Sequence, residues 1–443
     1  MLIEGGDLHS LRFSIYYLDL PNFYFGKMIV FKFGGASVQS AEAVRKVAEI
    51  ISGYKDNLIV VISAMGKTTN LLETLARGFF NKEDSKWPTF KQFKNYHLQI
   101  TDELFGKGET PGSVLSLFRK LDDKLNETPS LDYNFEYDQI VSFGELVSTR
   151  ILSEFLNRAG FKNRWVDVRS CLRTDNKFRD ASVNWALTEE LSRYIFDFKD
   201  YRLYITQGFI GSTSANLTTT LGREGSDFTA AILGNVLNAE SVSFWKDVQG
   251  VLSADPKKMD GAIKIDTLSY KEAVEITHSG AKIIHPKTMK PLFNKNIPLY
   301  VKSFFKPGEP GTVIHGIDHK VKLPPIYIIK ENLVLVTLTP RDFSFISIKD
   351  IDRVVNYLLG KRIRVTLMQQ SAIDLNLVLD AHEADPDRLM EELHPFYKIR
   401  YNTGMTLITV RHYTEEDLDR LVKEKDIYLE QHSRLTARVL VKL

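Results

Sequence analysis

A chain of 443 residues is more than one ordinary core organises, so two or three domains are expected. Its 43% hydrophobic and 26% charged residues are those of a globular protein with ample material for an interior. A net charge of +2 gives no strong field for nucleic acid, a membrane surface or a polyanionic partner, and none of these is expected. Cys171 is the only cysteine, which excludes an intramolecular disulfide, argues against a cysteine metal site and fits a reducing, cytoplasmic setting.

The stretch from Leu11 to Phe31 is apolar and aromatic, but Asp19, Pro21 and Lys27 interrupt it too often for a membrane span. It also lacks the basic start and small-residue cleavage site of a signal peptide. The folded part is expected to begin near Met28, with residues 1–27 an extension that is flexible or comes from a mis-assigned start. A strand follows at 28–33, then a helix at 40–52 with Ala43, Val44, Val47, Ala48 and Ile51 on one face. Residues 58–63 read as a second apolar strand and about 70 onward as a helix. Apolar strands spaced by helices predict an α/β three-layer sandwich with a mostly parallel sheet. Residues 85–160 read as largely helical, 162–168, 202–206 and 241–246 as strands, and 226–237 and 270–280 as helices. His278 and His285 lie two helical turns apart, but Gly280 and Pro286 break any helix between them, and no metal site is expected.

The run from Lys306 to Gly311 and then Leu323-Pro324-Pro325 punctuate the chain, placing a boundary at 315–330. The expected division is 28–320 and 330–443. In the second part strands are predicted at 333–338, 364–369, 374–379, 406–411, 427–431 and 436–442, with helices at 350–361, 386–394 and 415–424. This is one βαββα unit followed by a second that stops after its third strand.

Two familiar phosphate-binding signatures are incomplete in this chain. Gly66-Lys67-Thr68 imitates the end of a P-loop, but Val61 stands where its first glycine belongs, and no GxGxxG occurs. Lys32-Phe33-Gly34-Gly35-Ala36-Ser37 is the better candidate. It leaves a buried strand for a helix, so paired glycines bring backbone N–H groups close to a polyphosphate and Lys32 adds an ammonium. Thr218 to Asp227 is a second polar segment, where Arg223 can grip a carboxylate bidentately and Ser226 or Asp227 caps a helix.

Taken in order, these segments resemble the amino-acid kinase family, specifically the aspartokinases, over about 28–315. The family's KFGG opening is matched by Lys32 to Val38, and its Ser-Ala…Thr-Asn turn by Ser63, Ala64, Thr69 and Asn70. Its Phe-Gly-Glu is Phe143 to Glu145, its Gln-Gly-Phe-Ile-Gly is Gln207 to Gly211, its TTLGRGGSD is Thr219 to Asp227, and its GAK…HP is Gly280 to Pro286. The resemblance implies ATP as co-substrate with Mg²⁺ and L-aspartate as acceptor. Lys32 and Asp227 would be catalytic, Lys32 neutralising the phosphoryl in flight and Asp227 orienting the site. Ser63, Thr69 and Ser226 would surround the aspartate, Glu145 would meet its ammonium and Arg223 its α-carboxylate. Gly34, Gly35, Lys246, Asp247, Lys257, Lys282 and Ile283 would lie with Lys32 on the nucleotide side. No protein ligand is assigned to the metal.

The chain departs from the family at Lys246, usually a threonine, at Leu252, near which a tyrosine is often found, at Lys257, more often an arginine, and at Glu224, a glycine in the motif. The rivals are kinases of glutamate, N-acetylglutamate or a nucleotide on the same fold, and a catalytically silent amino-acid sensor. The tail resembles ACT-type regulatory regions and implies a homodimer formed through it. Its loop from Pro340 to Phe345 lacks the glycine often found where an effector amino acid binds. Lysine or threonine added to the purified protein is therefore expected to leave most activity intact, and strong inhibition by either would refute this.

Overall fold

A computed structural model describes residues 27–281, 283–317, 322–361, 363–382 and 391–442. The proposed N-terminal extension lies outside them except for Lys27, as does Lys282.

Residues 28–315 build an eight-stranded sheet. Its central strands are β1 (Met28–Phe33), β2 (Asn57–Ile62), β4 (Leu203–Gln207) and β7 (Ser241–Lys246). β3 (Arg164–Val166) closes one edge. On the other side follow β11 (Leu299–Ser303), β12 (Thr312–His315) and β10 (Thr267–Ser269). All pairs run parallel except β11 with β12. β1 is buried at every position and β2 at all but its first, because helices cover both faces, and this is why both read as unbroken apolar runs. Helix α1 (Ala41–Ser52) starts where Ser40 accepts the Ala43 N–H at 3.2 Å. The long helical stretch resolves into α2 (Thr68–Phe80), α3 (Lys86–Phe105), α4 (Gly112–Asn126), α5 (Tyr133–Val141) and α6 (Phe143–Arg158). α7 (Trp185–Ile195) was not foreseen. α8 (Gly225–Val236) is buried along most of its length; Glu224 stands at its N-cap with no side-chain cap bond, so neither Ser226 nor Asp227 caps it as expected, both lying inside its first turn.

The break expected between His278 and His285 is present. α9 (Tyr270–His278) ends before Gly280, whose φ of +117° suits glycine, and α10 (Pro286–Asn294) begins with Pro286 in its first turn. No helix of the described residues is long and apolar enough to cross a membrane.

Residues 326–442 form a separate antiparallel sheet of six strands. β13 (Ile326–Pro340) and β16 (Tyr397–Arg411) pair along their lengths with register shifts between Lys330 and Leu335, where Asn332 takes φ +59°. This bend divides the sheet in two. In one half β14 (Val365–Gln370), β15 (Leu375–Asp380), residues 333–340 and residues 397–402 lie side by side under α11 (Ile348–Gly360). In the other, β17 (Asp426–His432), β18 (Thr436–Lys442), residues 405–411 and residues 326–330 lie with α12 (Glu415–Val422). Each half repeats the same strand order. The second unit, which appears one strand short along the chain, has residues 326–330 hydrogen-bonded beside it, supplied from before the first unit. Of the helix expected at 386–394, residues 386–390 lie outside the described residues and 391–393 are helical.

The two sheets are tied through α9. Arg411 places its fork on Glu272, with Nε and Nη2 about 3 Å from its oxygens, and reaches Glu275 at 3.3 Å. His412 adds a contact to Glu272 at 3.2 Å. Burial opposes charge on Glu272, but His412 and Arg411 outweigh it and hold the carboxyl below its usual range. Since Arg411 is 6% exposed, Arg411→Ala is expected to strip a half-buried carboxylate of its partner and cost roughly 3 kcal/mol in urea unfolding. A loss under about 0.5 kcal/mol would contradict the tie.

Candidate active site

The C-terminal ends of β1, β2 and β7 meet the N-terminus of α8 around a cleft of about 550 Å³, where ligands of open parallel sheets bind. It brings together Lys32, Gly35, Ser63, Thr69, Glu145, Arg223, Ser226, Asp227 and Lys246 from the predicted set.

Gly35 opens a short 3₁₀ turn, and a Cβ there would sit 2.7 Å from the carbonyl oxygens of both Ala64 and Gly66. The loops after β1 and β2 therefore touch backbone to backbone, with the Gly66 N–H bonded to the Gly35 oxygen at 3.0 Å. This packing requires glycine. Gly34 stands beside the Lys32 ammonium without lining the cleft.

Asp227, in the first turn of α8 and 5% exposed, is the electrostatic hub. Lys32 Nζ lies 2.5 Å from one carboxylate oxygen and Lys246 Nζ 3.6 Å from the other. Burial works against its charge, yet the two lysines prevail and hold its carboxyl below the usual range. Lys246 also donates to the Ile283 carbonyl at 2.6 Å, so the lysine standing where the family has threonine joins β7, α8 and the segment before α10.

Glu145 is the opposite case. It is 2% exposed in the first turn of α6, its Oε1 accepts only a long bond from the Ala64 N–H at 3.4 Å, and its buried Oε2 has no partner. Burial pushes its carboxyl up to about 8. Facing the same cleft, Arg223 is exposed and makes no hydrogen bond or ion pair among the described residues. Next to it Glu224 occupies the left-handed region at φ +54°, where a side chain costs about 1 kcal/mol, and its carboxylate accepts the His285 N–H at 2.9 Å. The glycine-to-glutamate departure thus leaves the turn in its left-handed form and ties it to the head of α10.

Not every predicted residue joins the cleft. Asp247 and Lys257 are exposed on neighbouring loops, and the Lys257 N–H bonds Asp255. Ile283 approaches only through its carbonyl on Lys246. Conversely, the cleft includes Tyr137 and Arg179, which lie in none of the motifs, and Phe209 of the Gln207–Gly211 motif, to which the resemblance gave no role. Only the density of charge from Arg173 to Asp180 hinted at Arg179. Among the described residues no group of three or more His, Cys, Asp or Glu is placed to hold a metal ion. A second cavity of about 450 Å³, lined by Tyr54, Phe161, Tyr201 and Arg202, lies at the other end of the strands, away from this constellation.

Residues 27–303 match the amino acid kinase family. Lysine-sensitive aspartokinase 3 of Escherichia coli K12 is 30% identical over 400 residues, covering 87% of each chain. The crystal structure of E. coli aspartokinase III in complex with lysine and aspartate, in its T-state, superposes with a TM-score of 0.80 at 28% identity, covering 94% of this chain and 96% of that one. The same enzyme with aspartate and ADP, in its R-state, gives 0.78 over the same shares. The parallel sheet, the glycine turn and the lysine–aspartate hub therefore belong to a phosphotransferase, and the chain is a member of the amino acid kinase family and, within it, of the aspartokinases.

Proposed function

We propose that this protein transfers the terminal phosphoryl group of Mg-ATP to the side-chain carboxylate of L-aspartate, yielding 4-phospho-L-aspartate and ADP. This is the entry to lysine, threonine and methionine synthesis. The observation that carries the reading is Glu145: a buried carboxylate with an unpartnered oxygen, in a cleft whose Arg223 guanidinium is also uncommitted. A free α-amino acid supplies the ammonium and carboxylate that these two lack. An acetylated amine carries no charge to offer Glu145, which disfavours N-acetylglutamate. E. coli aspartokinase III, the structural relative, was captured with aspartate and with ADP.

The acceptor carboxyl, with an ordinary pKa of about 3.9, is ionised at neutral pH and needs no base. The barrier is the approach of one anion to another, so positioned positive charge is the principal requirement. Lys32 and Lys246 share Asp227, and two ammonium groups on one carboxylate leave net positive charge for the phosphoryl group between nucleotide and acceptor. The turn at Gly34 and Gly35 offers backbone N–H groups to the phosphates. Ser63, Thr69 and Ser226 line the aspartate pocket, and the nucleotide extends outward over Asp247, Lys257 and Ile283, Lys282 lying outside the described residues. Mg²⁺ arrives with ATP as part of the substrate, held by phosphate oxygens and water.

In this reading residues 28–320 are the catalytic domain and 330–443 an ACT-like regulatory region. The two βαββ halves, each beside a fourth strand, support the latter. Exposed edge strands β14 and β17 are suited to pairing with a second copy, giving a homodimer, and the enzyme works in the cytoplasm.

Purified protein with Mg-ATP and hydroxylamine is expected to form hydroxamate with L-aspartate and little with L-glutamate or N-acetylglutamate. Lys32→Ala should lower turnover by roughly 10²–10³-fold. Absence of aspartate-dependent turnover in folded protein would contradict the proposal. Glu145 makes a separate prediction. Its folded pKa of about 8 exceeds the ordinary 4.5, so its favourable contribution is complete below pH 4.5 and is lost as pH rises through 8. Glu145→Gln should accordingly gain Tm relative to the parent between pH 5 and pH 9, whereas a constant difference would mean that Glu145 has a partner.

A further inference from the structure

We propose that Arg179 is a second guanidinium for the α-carboxylate of the substrate, acting together with Arg223 and setting the preference for a free amino acid. The inference rests on the reading of the cleft as an aspartate site.

Arg179 sits in the loop between β3 and α7, and its side chain lines the cleft beside Tyr137, Glu145 and Arg223. Its backbone adopts φ +70°, a left-handed conformation that L side chains disfavour. Asp138 on α5 holds it there, accepting the Arg179 N–H at 3.0 Å while the same carboxylate takes the Thr220 N–H and hydroxyl at 2.8 Å. The fold thus keeps a strained residue in place with a buried acid, a pattern concentrated at functional positions.

The guanidinium is positioned but little used. It lies 4.3 Å from the centre of the Tyr137 ring, and Nη2 reaches Glu73 at 3.5 Å. Among the described residues Nη1 and Nε make no hydrogen bond, which leaves most of a planar fork for a ligand. Its chemistry calls for a carboxylate or phosphate.

The neighbours decide which. Lys32 and Lys246 form the cationic side of the cleft around Asp227. Arg179 is instead on the side of Glu145: its guanidinium lies against the Tyr137 ring of α5, and α5 passes through Ser142 directly into α6, whose first turn carries Glu145. In an α-amino acid, ammonium and carboxylate share one carbon, so a group that pairs with Glu145 brings the carboxylate to the arginines nearby. The phosphoryl group is transferred on the lysine side.

The test measures KM for L-aspartate and for Mg-ATP, together with Tm, in the parent, Arg179→Gly and Arg179→Lys. L-isoasparagine, in which an amide replaces the α-carboxylate, serves as the comparison substrate. Glycine suits the left-handed backbone, so Arg179→Gly should leave Tm unchanged or raised while KM for aspartate rises at least tenfold and KM for ATP stays within twofold. The preference for aspartate over L-isoasparagine should shrink at least tenfold, and Arg179→Lys should recover only part of it. An aspartate KM within twofold of the parent, or an undiminished preference over L-isoasparagine, would overturn the assignment of Arg179 while leaving the aspartate-kinase reading standing. A parent protein inert towards aspartate would overturn both.

Discussion

A buried carboxylate between two ammonium groups organises the catalytic half of this molecule. Asp227 belongs to α8, Lys32 to β1 and Lys246 to β7, so one side chain fixes the ends of three elements that are distant in sequence. Removing any partner would leave charge in a site from which water is largely excluded, and such a deficit is more destabilising than the intact group is stabilising. The pairing also has a chemical consequence. With a single anion between them, the lysines are brought close together but not neutralised, and the proposed function uses their excess charge where a polyphosphate and a carboxylate meet.

The same cleft contains a carboxyl of the other kind. Glu145 is as deeply buried as Asp227 but has no cation, and the difference between their carboxyls, one held below its ordinary range and the other raised to about 8, follows from that one distinction. The paired carboxylate positions the protein's own elements, whereas the unpaired carboxyl leaves an oxygen of Glu145 without a partner. In the proposed reading, Glu145, Arg223 and Arg179 together are complementary to a zwitterion. The lysine pair and glycine turn describe a phosphate. In the proposed reading, selectivity and catalysis are divided between two ends of one cleft.

Much of this was legible along the chain because it depends on local patterns. The apolar runs at 28–33 and 58–63 and the glycine pair after Lys32 announce two strands and a turn, and each falls within a residue of where expected, whereas the cap expected at Ser226 or Asp227 is displaced to Glu224. What escaped reading depends on tertiary placement. Arg179 has no periodicity to mark it, and its left-handed backbone follows from Asp138 on a distant helix. Helix α10 was hidden by Pro286 and Pro291, although a proline in the first turn is compatible with a helix start. The C-terminal region shows the same limit. Its second unit ends after three strands in sequence, but the neighbour on its open edge is 326–330, donated from before the first unit, and no local signal records a pairing between residues some eighty positions apart.

The central claim is that Glu145 is left unpaired so that the ammonium of the substrate can complete it. Isothermal titration of L-aspartate at pH 7, in two buffers of different ionisation enthalpy, tests this directly. A carboxyl with a pKa of about 8 is mostly protonated at that pH and must ionise to pair with an ammonium, so binding should release close to one proton, and none in Glu145→Gln. Aspartate binding with no proton exchange, or with the same exchange in Glu145→Gln, would contradict the account.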